Sequence, residues 1–189
     1  MYFIQERGSR RVRLSDMLHI MFVEDTYGKE FHMAIIRKLR ETNELDPSMG
    51  IRVDSRPVRK CDVKLRRIIL GKREVIEGEL VKVLFVTDNE GKPNAEDDLL
   101  SHFKNLPGNV HIRVVTVNPM HEAWLCIGLG GNKRVCRQDP VHALIRLRGN
   151  FYEKKYLGEW ACQVDINSLM PEQDFREYLS ALKWLIQDP

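Results

Sequence analysis

Three short segments of the chain are almost continuously apolar: 19–24 (HIMFVE), 81–88 (VKVLFVTD) and 111–118 (HIRVVTVN). Each is rich in β-branched or aromatic residues and lacks the apolar–polar alternation of a strand with one wet face. That is the pattern of a strand covered on both sides. The intervals between them carry helical spacing. Residues 30–41 place Phe31, Ile35 and Leu39 four apart, with Ala34 beside them. Residues 62–73 offer Val63, Leu65, Ile68 and Ile69 as an inner face among basic residues, and 94–105 offer Leu99, Leu100 and Phe103. Asn94, Glu96 and Asp97 suit the N-terminus of that last helix, and Pro107-Gly108 breaks it. Parallel strands need crossovers of about this length, so the order predicts an α/β fold. Its core would be a Rossmann-like, mostly parallel sheet flanked by helices and wound right-handedly. A weaker segment, 51–58, alternates and contains Pro57, which suits an edge strand.

The last third reads as helix. Residues 119–129 predict a short helix with proline in its first turn, stopped by Gly128, Gly130 and Gly131. The glycine run is read as a helix stop because it lacks the strand–loop–helix setting of a phosphate loop. Asp139-Pro140 supplies an N-cap and a first-turn proline for another helix. Residues 171–186 carry Phe175, Tyr178, Leu179, Leu182 and Leu185 on one stripe. The expected organisation is one domain over 1–189, with an α/β core at 19–130 and a helical cover at 131–189. No apolar run approaches the ~20 residues that cross a bilayer, so no membrane is expected. The first residues lack a basic-then-apolar leader, and a cytoplasmic location is expected. The four cysteines, Cys61, Cys126, Cys136 and Cys162, form no C-x-x-C pair and are read as reduced, mostly buried thiols. A metal set built from Cys126, Cys136 and His142 is discounted.

In an open parallel sheet, ligands bind beyond the carboxyl ends of the strands, near the point where strand order reverses. Glu24 ends the first apolar segment, Asp88 ends the second, and Glu90 follows two residues on. If the strands are parallel, these acids share a rim. Crowded carboxylates repel unless a cation or shared protons balance them, and an oxygen-rich site suits Mg²⁺. The competing reading is that the acids cap the helices that follow. Glu122 is either a fourth carboxylate on the rim or a first-turn glutamate favoured by the helix dipole. Trp124, Trp160 and Trp184 read as core anchors. The histidines form no recognisable triad.

The net charge is +3, unevenly spread. Arg56, Arg59, Lys60, Lys64, Arg66, Arg67, Lys72 and Arg73 face only Asp62 in their stretch, and Arg7, Arg10, Arg11 and Arg13 form a second cluster. Such runs either track a phosphate backbone or form a solvated helix face. Lys154 is read as a phosphate contact or as an ordinary surface lysine.

An apolar strand ending in Glu24, a helix, and a second apolar strand ending in Asp88-x-Glu90 together resemble the TOPRIM domain of topoisomerases, bacterial-type primases and OLD-type nucleases. Asp25 stands where that family commonly has glycine, and Glu90 where it commonly has a second aspartate. The run His121-Glu-Ala-Trp-Leu resembles the Glu-Ala-Trp-Leu signature of a small TOPRIM-related family of unassigned function. Phe151-Tyr-Glu-Lys154 and the later helix containing Phe175 resemble its Tyr-x-Lys and closing helix. The resemblance implies that Glu24 acts as general acid or base, while Asp88 and Glu90, with Glu122 a further candidate, hold Mg²⁺ or Mn²⁺. It implies Mg²⁺-dependent phosphodiester chemistry, most simply that of a nuclease acting on DNA or RNA held by Arg56, Arg59, Lys60, Lys64, Arg66, Arg67 and Lys154. The alternative is a non-catalytic TOPRIM-like nucleic-acid-binding module, or a subunit that meets a protein partner or a second copy.

Overall fold

The computed structural model describes residues 18–23, 26–48, 50–54, 63–149 and 151–187. Four strands form one sheet: β1 (Leu18–Val23), β2 (Arg52–Asp54), β3 (Val81–Asp88) and β4 (Val110–Val117). Their order is β2-β1-β3-β4, and every pairing is parallel. The three apolar segments are therefore strands, and β3 is buried at all eight positions. The weak fourth segment is a three-residue edge strand whose first residue is exposed. Short edge strands limit the backbone left open to other chains.

The chain leaves β1 toward β2 through α1 (Thr26–Glu41), then turns back past β1 to build β3 and β4. The order of strands thus reverses between β1 and β3. Helices α2 (Val63–Leu70) and α3 (Arg73–Ile76) precede β3, and α4 (Ala95–Ser101) joins β3 to β4. Beyond β4 come α5 (His121–Gly128), α6 (Lys133–Gln138), α7 (Pro140–Arg148), a 3-10 turn (Lys154–Tyr156), α8 (Leu157–Ala161), α9 (Ile166–Leu169) and α10 (Gln173–Ile186). No helix among the described residues is long and apolar enough to cross a membrane.

The period-2 alternation of strand side chains sorts the core into two halves. On one face Ile20, Phe22, Val81, Val83, Phe85, Val110 and Val114 pack with Leu65 and Ile69 of α2, Val75, Leu99 of α4 and Phe103. On the other, Met21, Val23, Leu84, Val86, Val115 and Val117 meet α1, α5 and α10 through Phe31, Ile35, Leu39, Trp124, Phe175, Tyr178 and Leu182. Burial on both faces is why the strands carry no polar alternation. Lys82 points into the second half and is 4% exposed. Its Nζ donates to the Trp184 and Gln187 carbonyls, supplying donors that the end of α10 lacks.

Several local expectations change. Asn94 holds the N-cap position of α4, but its side chain makes no capping hydrogen bond. Helix α5 begins two residues after Pro119, so that proline precedes the helix instead of opening it. The Pro119 carbonyl accepts from the Glu90 N–H at 2.9 Å, which ties the loop after β3 to the loop after β4. Gly130, at φ +87°, ends α5 as the helix-stop reading requires. Cys126 and Cys136 are joined as a disulfide with Cα atoms 5.6 Å apart, within the usual range for a bridge, and are not reduced thiols. Cys162 is free and exposed, and His142 bonds Asp139 at 2.7 Å. Trp124 is fully buried, but Trp160 and Trp184 lie at the margin of the core. Trp160 stacks on Tyr156, and Lys82 and Arg113 approach the Trp184 ring.

Candidate functional site at the carboxyl rim

Asp88 ends β3, and in the register Val23 of β1 pairs with Val86 two residues earlier. Position 24 thus follows directly from the neighbouring strand, but Glu24 and Asp25 lie outside the described residues. So do Arg7, Arg10, Arg11, Arg13, Arg56, Arg59, Lys60 and Asp62.

Period-2 geometry turns Asp88 to the same face as Leu84 and Val86, toward the first turn of α5. There its Oδ1 accepts from the His121 backbone N–H at 2.9 Å and from the His121 ring Nδ1–H at 2.5 Å. The open amides and dipole of a helix N-terminus favour an anion at that place. Asp88 is 8% exposed as a residue and His121 5%. Burial alone would push the acid up. The charge of His121, its ring and backbone hydrogen bonds, and the charge of Lys154 together hold Asp88 below the usual carboxylate range. Asp88 is thus an anion at neutral pH despite its burial.

The contact runs deeper than one pair. His121 Nε2 lies 2.8 Å from Nε2 of His32 on α1, and His32 Nδ1 lies 2.9 Å from the Tyr178 hydroxyl on α10. His32 and Tyr178 are both fully buried. Burial and the neighbouring charge of His121 hold His32 well below the ordinary histidine value, so it is neutral. Burial pushes the Tyr178 phenol upward, so it keeps its proton. Aromatic rings wall the chain: Phe31 sets its edge against both histidines, and Trp124 lies against His121 and Tyr178. Sequence reading missed these histidines. Their signal was slight: His32 falls within the inner arc of α1 beside Phe31 and Ile35, and His121 precedes the Glu-Ala-Trp-Leu run.

The other expected residues divide. Glu122, next to His121 in the first turn of α5, is 4% exposed, and its Oε1 accepts from the Tyr152 hydroxyl at 3.0 Å. Lys154 is near enough for its charge to act on Asp88, which joins the 151–156 segment to the rim. Glu90 sits on an exposed turn at φ +50°, a conformation uncommon for glutamate, with Lys92 Nζ 3.7 Å from its Oε2. Among the described residues no three of His, Cys, Asp and Glu form a group able to hold a metal, so Asp88, Glu90 and Glu122 do not make one by themselves. Of the basic stretch, Lys64 and Arg67 are exposed on α2. Arg66 donates to the Lys104 and Asn105 carbonyls and so braces the segment after α4.

Magnesium is commonly held by one or two carboxylates with several retained waters. An ionised Asp88 on a strand-end rim fits that modest requirement, although Oδ1 is already engaged by His121. No protein-family model matches the chain, and neither a curated protein nor a solved structure does.

Proposed function

We propose that the chain is a TOPRIM-like enzyme that cleaves phosphodiester bonds of nucleic acid with the help of Mg²⁺ or Mn²⁺. The observation that carries the reading is Asp88: a buried, ionised carboxylate at the end of β3, beside the reversal of strand order between β1 and β3. Asp88 would hold the cation with Glu90, and Glu24 would move the proton of the attacking water. A bound cation supplies charge stabilisation at the phosphoryl group. Lys154 favours anions beside Asp88, and exposed Lys64 and Arg67 offer further phosphate contacts, with Arg56, Arg59 and Lys60 earlier in the chain. The reading goes with a cytoplasmic location, where the Cys126–Cys136 bond would be an exception to the reducing rule.

The test is cleavage of labelled single- and double-stranded DNA and RNA, with Mg²⁺ or Mn²⁺, by the wild type and by Glu24→Gln. Metal-dependent cleavage that the substitution reduces about a hundredfold or more is expected, in line with loss of a general acid–base group. No cleavage of any of the four, or equal cleavage by both proteins, rejects the enzyme. A second reading, a non-catalytic nucleic-acid-binding module, is favoured by the way the rim acids meet cations of the chain itself: Asp88 with His121, Glu90 with Lys92. Its mark is salt-sensitive binding without cleavage.

A further inference from the structure

The Asp88–His121–His32–Tyr178 chain draws one side chain each from β3, α5, α1 and α10, so four elements converge on it. Burying three polar rings needs a reason, because an apolar filling of similar volume satisfies a core at least as well. Two directions of hydrogen bonding are self-consistent along it. In one, the Tyr178 O–H donates to His32 Nδ1, His32 Nε2–H donates to His121 Nε2, and His121 Nδ1–H donates to Asp88. In the other, His121 donates at both nitrogens and His32 Nδ1–H donates to the Tyr178 oxygen. The directions differ in the tautomer of His32 and in the charge of His121, neutral in the first and a cation in the second, yet in both the Nδ1–H of His121 faces Asp88 Oδ1. The chain therefore leaves His121 one orientation toward the carboxylate. The edge-on Phe31 ring, 5.3 and 5.5 Å from the two imidazoles by centroid, closes off a sideways swing.

Both contacts of His121 fall on the same oxygen, Oδ1. We propose that His121 is a positioning residue for Asp88, held in place by His32 and Tyr178, so that Oδ1 is fixed inward and the carboxylate keeps a single orientation at the rim. His121 touches no substrate in this role, since both ring nitrogens are engaged. Tyr178, three links from the carboxylate, acts on the rim only through the chain. The geometric part stands without any assigned activity; only its consequence for a cation rests on the function proposed above.

The experiment uses full-length protein with ¹⁵N-labelled histidine, as wild type, Tyr178→Phe, His32→Phe and His32→Gln. Tyr178→Phe removes one hydroxyl and keeps the ring, so the core volume is conserved. The wild type is expected to show His121 protonated at Nδ1, with a strongly downfield, slowly exchanging ring proton. Tyr178→Phe and His32→Phe are expected to speed exchange of that proton about tenfold or more and to mix the His121 tautomers. Both are also expected to weaken Mn²⁺ binding, by roughly the 10–100-fold that loss of an outer-shell partner costs. His32→Gln, which can still donate and accept, should restore part of each effect. A His121 Nδ1 proton unchanged in both Phe variants, with the amide spectrum showing an intact fold, overturns the proposal. Failure of the wild type to bind Mn²⁺ rejects the metal reading alone, and the histidine spectra then decide the positioning role.

Discussion

Asp88 and His32 show how burial acts oppositely on an acid and a base, and how neighbours choose the outcome. Burial raises a carboxylate and lowers an imidazole. For Asp88 the charge and hydrogen bonds of His121, with the charge of Lys154, overcome burial, and its folded value falls; for His32 burial and the His121 charge act together. Both folded values lie below their unfolded ones, so in each case the unfolded chain binds more protons as acid is added. The Asp88 contribution is present above the unfolded carboxylate value and lost as pH falls through the lower folded one. The His32 contribution is present above about 6.5 and lost below it. Stability measured by urea unfolding from pH 7 to 5 is therefore expected to fall, by up to about 1.4 kcal/mol per pH unit for one proton. His32→Phe should flatten that slope; an equally steep slope in the variant would contradict the assignment of a neutral His32. The sequence made Asp88 visible because it ends an apolar strand. It hid the histidine chain because His121 lies 33 residues from Asp88 and 89 from His32, and only tertiary packing brings them together.

Among the elements, α10 is anchored where it meets the loop after β4. Asp174 accepts from the Asn118 N–H at 3.0 Å and from Trp124 Nε1–H at 2.9 Å, and Arg137 of α6 clasps both its oxygens at 2.7 Å. Arg137 reaches Glu172 as well. Burial pushes Asp174 up, but these hydrogen bonds, led by that of Arg137, hold it below the usual range. Asp174→Ala should cost about 2–4 kcal/mol in chemical unfolding, because it removes two charge-assisted bonds from a partly buried guanidinium, which keeps only Glu172 of its two carboxylates, and takes the acceptor from the Asn118 and Trp124 N–H groups. A loss under about 0.5 kcal/mol, the usual effect of a surface change, would show that the clasp is idle. Helix α8 approaches α1 through Gly158, where an added Cβ would lie 2.4 Å from the Glu30 Cβ. Gly158→Ala is expected to destabilise by roughly 1–3 kcal/mol through overpacking, read as a lower thermal midpoint; an unchanged midpoint would mean that the helices separate freely. The helix at 171–186 was legible from its stripe, because Phe175, Tyr178, Leu179, Leu182 and Leu185 are all buried. Helices α6, α8 and α9 were not, since four to six residues give too little period to read. The Cys126–Cys136 bond also escaped the sequence, which lacks a diagnostic cysteine spacing. Gly131 fits there because an added Cβ would stand 2.6 and 2.7 Å from the two sulfurs.

At the scale of the whole molecule, the apolar strands fix the architecture and the architecture fixes the rim. A sheet buried on both faces places polar groups at strand ends, where backbone and side chains still meet water. The α/β class and the parallel sense followed from strand composition and crossover length. The strand order β2-β1-β3-β4 did not, because β2 owes its place to three residues of pairing. That order puts β1 beside β3 and makes their shared carboxyl end the place to look for chemistry. The most direct measurement of this claim is Mg²⁺-dependent cleavage of labelled nucleic acid by Asp88→Asn beside the wild type, under conditions where both are folded. The account predicts cleavage by the wild type and a loss of at least about a hundredfold in the variant, as removal of a first charge-stabilising group entails. Cleavage by Asp88→Asn at the wild-type rate would contradict it.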